Sequence, residues 1–304
     1  MSPKENPPGA RLPAAGLPGA RLVDPASLNE ELGDPQLRVI DATAFLRREV
    51  VDGPYSVESG RESYEQAHIP SAVFADIPAK MSDPDSPYRF TLPSPELFAS
   101  AMGELGVGEH TRVVAYAQES PMWASRLWWL LRYFGFDEVR VLDGGLTSWC
   151  EAGLALSSAT VAVASERFVA RPRPELLATK NDVIAVLGGE PACLVNALTP
   201  AAFAGLGPGA YSRPGRIPGS LSVPAQGLVD PVTWRFCPRD ELALSLAGLL
   251  AADPATPLIA YCGGGISATV DIFVLAMLGR GDVLLYDGSL TEWSADPALP
   301  LELG

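Results

Sequence analysis

Short apolar runs recur along this chain, and between them apolar residues return at helical spacing. Arg38-Val39-Ile40-Asp41-Ala42, Arg112 to Tyr116, Val139-Arg140-Val141-Leu142 and Leu258-Ile259-Ala260-Tyr261 have strand length and are largely apolar throughout. Helical spacing is found over Pro25 to Leu32, Ser63 to Gln66, Ser94 to Leu105 and Trp123 to Phe134. It appears again from Ser267 through Val270, Phe273, Val274 and Met277. Val50 to Gly60 reads as a loop, and Ser82 to Pro95, dense in turn residues, reads as a connection running over the surface. Apolar strands alternating with helices imply an α/β fold, a parallel sheet covered on both faces.

The pattern occurs twice. Val39-Ile40-Asp41-Ala42 is echoed by Leu194-Val195-Asn196-Ala197, and His68-Ile69-Pro70-Ser71 by Arg216-Ile217-Pro218-Gly219. Arg112 to Tyr116 is echoed by Leu258 to Tyr261, and Asp143-Gly144-Gly145-Leu146-Thr147-Ser148-Trp149 by Asp287-Gly288-Ser289-Leu290-Thr291-Glu292-Trp293. The echoes keep their order and lie about 150 residues apart, which implies tandem domains of one fold. The boundaries read as a disordered tail over 1–21, a first domain over 22–158, a linker over 159–175 stiffened by Pro172 and Pro174, and a second domain over 176–304. For the tail, a vector-derived or targeting segment is the alternative.

Composition narrows the function. With 47% apolar and 19% charged residues the chain can fill real cores. A net charge of −14 argues against nucleic acid and against anionic membranes as partners. It also means that an anionic substrate needs local positive charge. The four cysteines form no close pair, and with two histidines a metal site is not expected. No secretory signal and no membrane-length apolar run are evident, so a reducing, cytoplasmic setting is expected.

The repeat isolates one cysteine. After its strand the second domain reads Cys262-Gly263-Gly264-Gly265-Ile266-Ser267 and then a helix; at the same place the first domain reads Ala117-Gln118-Glu119. Strand, glycine loop and helix aim several backbone N–H groups and a helix N-terminus at one spot, a setting that favours a sulfur anion. Alone, Cys262 would read as a small buried hydrophobe. Beside a twin that lacks it, it reads as the reactive group. Ser267 is read either as a hydroxyl donor to the sulfur or as the helix N-cap. Cys150, Cys193 and Cys237 lack the loop context and read as packing residues, as do Trp123, Trp128 and Trp129, with lining of a cleft as the alternative for Trp123 and Met122. His68 reads as a residue that fixes its turn.

These residues together resemble the two-domain rhodanese-type sulfurtransferases, from Leu22 to nearly the end of the chain. The resemblance implies two tandem rhodanese-like domains, an inactive first and an active second, with the site in the cleft between them. It implies transfer of a sulfane sulfur from a small anionic donor, thiosulfate or 3-mercaptopyruvate, to Cys262 and on to cyanide or a thiol, a thioredoxin-like protein being one such acceptor. No cofactor is implied. A cysteine phosphatase would need Cys-x₅-Arg, and that position here is Ala268. The alternative from another class is a non-enzymatic persulfide carrier or anion-binding module.

The sequence departs from the family in its charged groups. The thiosulfate branch places Arg and Lys directly after the cysteine, where this chain has Gly263 and Gly264. The mercaptopyruvate branch has a serine at Gly264, an aspartate near Pro78, a histidine near Phe90 and arginines near Ala202 and Gly209. As substitutes holding an anionic donor, Arg213, Arg216 and Arg126 are expected, with surface charge or structural ion pairing as the competing role of each. Asn196 stands where an aspartate is common, and a neutral amide there would repel a sulfur anion less.

Overall fold

The computed structural model describes residues 19–50, 53–206 and 210–304. Most of the expected tail, residues 1–18, lies outside these. Gly19 to Arg21 already belong to the fold: Ala20 is buried, and the Arg21 carbonyl accepts the Val141 amide at 3.0 Å.

The first domain contains β1 (Leu22–Val23), β2 (Leu37–Asp41), β3 (Ala44–Arg48), β4 (Tyr55–Ser59), β5 (Val73–Phe74), β6 (Arg112–Tyr116) and β7 (Val139–Leu142). The second contains β8 (Leu177–Ala178), β9 (Cys193–Asn196), β10 (Leu221–Ser222), β11 (Leu258–Tyr261) and β12 (Leu284–Tyr286). The sheet orders are β1-β7-β6-β2-β5 and β8-β12-β11-β9-β10, every pair parallel. The orders are the same topology, as the sequence echoes require. Registers match too: Asp41 pairs with Tyr116 and Asn196 with Tyr261, each pair at the end of its strands and just ahead of the loop that differs.

One feature breaks the repeat. Val50 to Gly60, expected as loop, contains β4, which pairs antiparallel with β3 from Ala44↔Ser59 to Arg48↔Tyr55. This hairpin is a two-stranded sheet of its own, outside the main one.

The outer face of each sheet covers its own core: Leu28, Val39, Val114 and Trp149 in one domain, Val183, Leu194, Ile259 and Trp293 in the other. The inner faces share a core. There the helix Met122–Tyr133 packs on the helix Ala268–Met277, with Trp128 edge-on to Phe273 at 5.0 Å. Apolar content on nearly every face of these helices follows from burial between two sheets. The expected linker lies along the first domain, its Glu166 and Arg171 amides bonded to the Gly103 and Phe134 carbonyls.

Two turns cross between the domains. The Leu92 amide donates to Asp287 at 2.7 Å, and the Phe236 amide donates to Asp143 at 2.9 Å. Each aspartate opens one copy of the repeated Asp-Gly turn. The stretch Ser82 to Pro95 is therefore an interdomain strap rather than a surface connection, and Phe90 within it is buried.

Asp271, on the helix Ala268–Met277, is fully buried, and neither of its carboxylate oxygens has a partner among the described residues. Burial pushes its pKa well above the usual carboxylate range. An acid with a raised folded-state pKa holds its proton while the unfolded chain ionises. Its contribution to stability is thus complete below the ordinary value, about 3.9, and declines as pH rises from there towards the folded pKa. Asp271→Asn cannot ionise. Thermal melts are expected to favour the variant more at pH 8 than at pH 4. A difference that does not change with pH would contradict this.

Candidate active site

Strand β11 ends at Tyr261, and the next residue, Cys262, is 2% exposed. Its amide donates to the Ser289 hydroxyl at 3.1 Å. Ser289 holds a left-handed backbone, φ 50°, where the first domain has Gly145 at φ 53°. A serine in that conformation is strained. Its hydroxyl, which also donates to the Tyr286 carbonyl at 2.8 Å, ties the cysteine to the Asp-Gly turn.

Four of the loop's carbonyls are claimed by donors. Cys262 O accepts from the Leu290 amide at 3.2 Å; Gly263 O accepts from the Thr291 amide at 2.9 Å and the Thr291 hydroxyl at 2.6 Å. Gly265 O accepts from Arg126 at 3.2 Å, and Ile266 O from the Thr269 amide at 3.0 Å and hydroxyl at 2.7 Å. The amides of Gly263, Gly264, Gly265, Ile266, Ser267 and Ala268 have no acceptor among the described residues. A peptide group whose carbonyl is pulled one way presents its N–H the other way. The loop and the first turn of the helix thus offer unclaimed donors beside one sulfur.

Two glycines are required here. Gly265 has φ 75°, and a Cβ on it would meet Asp287 Oδ1 at 2.5 Å. On Gly263 a Cβ would overlap the Tyr211 hydroxyl. Gly264 has room; the Phe90 ring, Thr291 Oγ1 and the Arg89 carbonyl stand 3.7, 3.7 and 3.8 Å from where its Cβ would be. Phe90 therefore covers the loop from the first domain, at the place where the resemblance implied a histidine.

Beside the loop opens an interdomain cleft of about 410 Å³, lined by Arg48, Met122, Ala197, Ala202, Tyr211 and Ser267 among others. A larger hollow of about 680 Å³ surrounds His68 and Lys80 in the first domain, and no residue of the cysteine loop lines it.

The expected site residues divide. Cys262, Gly263, Gly264, Gly265, Ile266 and Ser267 form the loop. Ser267 occupies the N-cap position with helical backbone, φ −60°, and its side chain caps nothing, so the capping role falls away. Asn196 is buried under the strand end; its Oδ1 accepts the Leu198 amide at 2.8 Å.

The three arginines are engaged elsewhere. Arg126 is 0% exposed and bonds Asp287 Oδ1 at 2.6 Å, the Phe90 carbonyl at 2.6 Å and Gly265 O. Arg213 donates to the Ser294 and Asp296 carbonyls at 3.0 and 2.6 Å, closing the end of the helix Ser289–Trp293. Arg216 pairs with Glu302 at 2.7 Å and stacks on Phe203 at 4.4 Å. Their guanidinium groups do structural work, and the expectation that they hold the donor is set aside. Gly209 lies outside the described residues. His68 donates its Nδ1–H to the Tyr64 carbonyl at 2.7 Å and stacks its ring on Tyr64, fixing the turn. Cys193 and Cys237 are half-buried, whereas Cys150 is exposed and packs no core.

Sequence reasoning passed over Tyr55, Arg89, Tyr211, Ser289 and Thr291. The repeated Asp-Gly-x-Leu-Thr turn was the available signal for the last two, because its function is to hold the loop's carbonyls. The first domain repeats the arrangement without a thiol: the Leu146 amide donates to Ala117 O at 3.1 Å.

The rhodanese-like domain family model matches residues 24–152 and again 188–296. The chain is 36% identical over 283 residues to the 3-mercaptopyruvate sulfurtransferase of Escherichia coli, covering 90% of this chain and 95% of that one. It is 34% identical to the human 3-mercaptopyruvate sulfurtransferase, covering 91% of each. Its structure superposes on the crystal structure of SseA from Escherichia coli with a TM-score of 0.77 at 34% identity, covering 89% of this chain and 98% of that one. Among the described residues no helix is long and apolar enough to cross a membrane. With two matching domains, one common topology and full-length relatives, this chain belongs to the two-domain rhodanese-like sulfurtransferases.

Proposed function

We propose that the protein transfers sulfane sulfur through a persulfide on Cys262. The observation that carries this is the row of unclaimed amides from Gly263 to Ala268 beside one buried thiol. Such donors stabilise a sulfur anion in both states of a transfer cycle, the thiolate and the persulfide. In the first step the Cys262 thiolate attacks the outer sulfur of thiosulfate or the single thiol sulfur of 3-mercaptopyruvate. The bond to that sulfur breaks, and its electron pair leaves with sulfite from thiosulfate, or with the pyruvate enolate from 3-mercaptopyruvate, which then takes a proton from water. In the second step cyanide or a thiolate attacks the outer persulfide sulfur, and the electron pair returns to Cys262.

The donor is a small anion. The names of the relatives bring 3-mercaptopyruvate to this chain, while Phe90 and Gly264, standing where the mercaptopyruvate branch has a histidine and a serine, offer no proton and suit a leaving group that needs none. A cytoplasmic setting supplies dithiol acceptors, including thioredoxin-like proteins. Steady-state assays with thiosulfate plus cyanide, and with 3-mercaptopyruvate plus a dithiol, test this reading. Repeated turnover with at least one pair is expected. Uptake of one sulfur per chain without turnover would replace the enzyme by a persulfide carrier, and no uptake would overturn both.

A further inference from the structure

With Arg126, Arg213 and Arg216 occupied, the positive charge that an anionic donor needs must come from elsewhere. The β3–β4 hairpin brings it. Tyr55 opens β4, and two guanidinium groups lie over its ring: Arg48 at 5.1 Å and Arg89 at 5.8 Å from the ring centre. Arg89 also donates to the Tyr55 carbonyl at 3.4 Å, and Arg48 to the Gly53 carbonyl at 3.1 Å. Arg48 lines the cleft beside Ser267 and Tyr211, and the Arg89 backbone abuts Gly264. Among the described residues neither arginine has a carboxylate within ion-pair distance. The neighbouring Arg47, by contrast, pairs with Glu58 and Glu119. Burial raises the pKa of the Tyr55 hydroxyl, a charge on Cys262 raises it further, and Arg89 and Arg48 oppose this, so the phenol shares one field with the thiol and both cations.

We propose that Arg48 and Arg89, aligned on Tyr55, hold the anionic end of the sulfur donor over Cys262, the first domain supplying the charge that the cysteine loop lacks. This rests on the persulfide reading for its substrate, but the grip itself acts on any small anion reaching Cys262. A guanidinium already resting on an aromatic face keeps its outer N–H groups for a carboxylate or sulfonate. In a chain of net charge −14 the local cations decide whether such an anion enters at all. Glu49, which lines the same cleft, works against them.

The test compares two alkylating reagents at Cys262, anionic iodoacetate and neutral iodoacetamide, with rates read on the Cys262 peptide by mass spectrometry. In Arg48→Gln/Arg89→Gln the iodoacetate-to-iodoacetamide rate ratio is expected to fall about tenfold, with the iodoacetamide rate itself within about twofold of the parent. Glu49→Gln is expected to raise the ratio. A structural role for the arginines would move both reagents together. An unchanged ratio in the double variant overturns the proposal, and this readout needs no turnover, so it stands apart from the fate of the sulfurtransferase reading. Where turnover is measured, donor KM is expected to rise about tenfold with kcat within about twofold and the KM of a neutral dithiol acceptor unmoved. A rise confined to thiosulfate or to 3-mercaptopyruvate identifies the anion held. Unchanged KM for both overturns the grip.

Discussion

Cys262→Ser is expected to lower sulfur transfer by at least about three orders of magnitude while leaving the fold intact. The serine hydroxyl fits the space, and the bond from the residue 262 amide to Ser289 uses backbone, so it survives the change. What is lost is the atom that can form an S–S bond. The other thiols offer no substitute: Cys150 is exposed on the helix Gly145–Glu151, and Cys193 and Cys237 lack a loop of free amides. Assays with both donor pairs, together with a thermal melt to confirm folding, check this. Retained activity would remove Cys262 from the reaction.

Arg126→Met is expected to destabilise the protein by about 3–5 kcal/mol, because it leaves the Asp287 carboxylate in a buried place without its cation. For a chain of this size that corresponds to a fall of about 10 °C in Tm. The damage reaches the site as well. Arg126 alone joins Asp287, the Phe90 carbonyl and the Gly265 carbonyl, so its loss loosens the strap at Phe90 and releases one of the loop carbonyls. Activity at a temperature where the variant is fully folded is expected to fall about tenfold, about 1.4 kcal/mol. Removing the stranded charge too, in Arg126→Met/Asp287→Leu, is expected to recover part of the Tm but none of the activity. Calorimetry and a rate assay on the two variants separate these effects. A melting temperature unchanged in Arg126→Met would contradict the clamp.

The strands and the domain repeat were legible because burial on both faces writes itself as short apolar runs, and because the echoes preserve order. The cysteine was legible because its twin position holds Ala117. The arginines were not, and the reason is physical. A guanidinium finds its partners among backbone carbonyls as readily as among carboxylates, and carbonyls leave no mark in a sequence. Arg126 did carry a signal, a charge between Trp123, Leu127 and Leu130 on a helix with no wet face, which requires a buried counter-ion. The hairpin had one too: Tyr55 and Val57 alternate with the polar Ser56 and Glu58 at period two, a pattern masked by Gly53 and Pro54 just before it. The turn residues of the strap around Phe90 read as surface. Turn residues say that the backbone changes direction, and they are silent on whether a second domain lies against it.

The central claim is that one sulfur atom can rest on Cys262 among the loop's amides. Its most direct test is the mass of the Cys262 peptide after the purified protein meets thiosulfate or 3-mercaptopyruvate, measured before and after cyanide. The account predicts a gain of one sulfur atom on that peptide alone, removed by cyanide and absent from Cys262→Ser. A peptide that gains nothing from either donor, or a sulfur found instead on Cys150, Cys193 or Cys237, would contradict it.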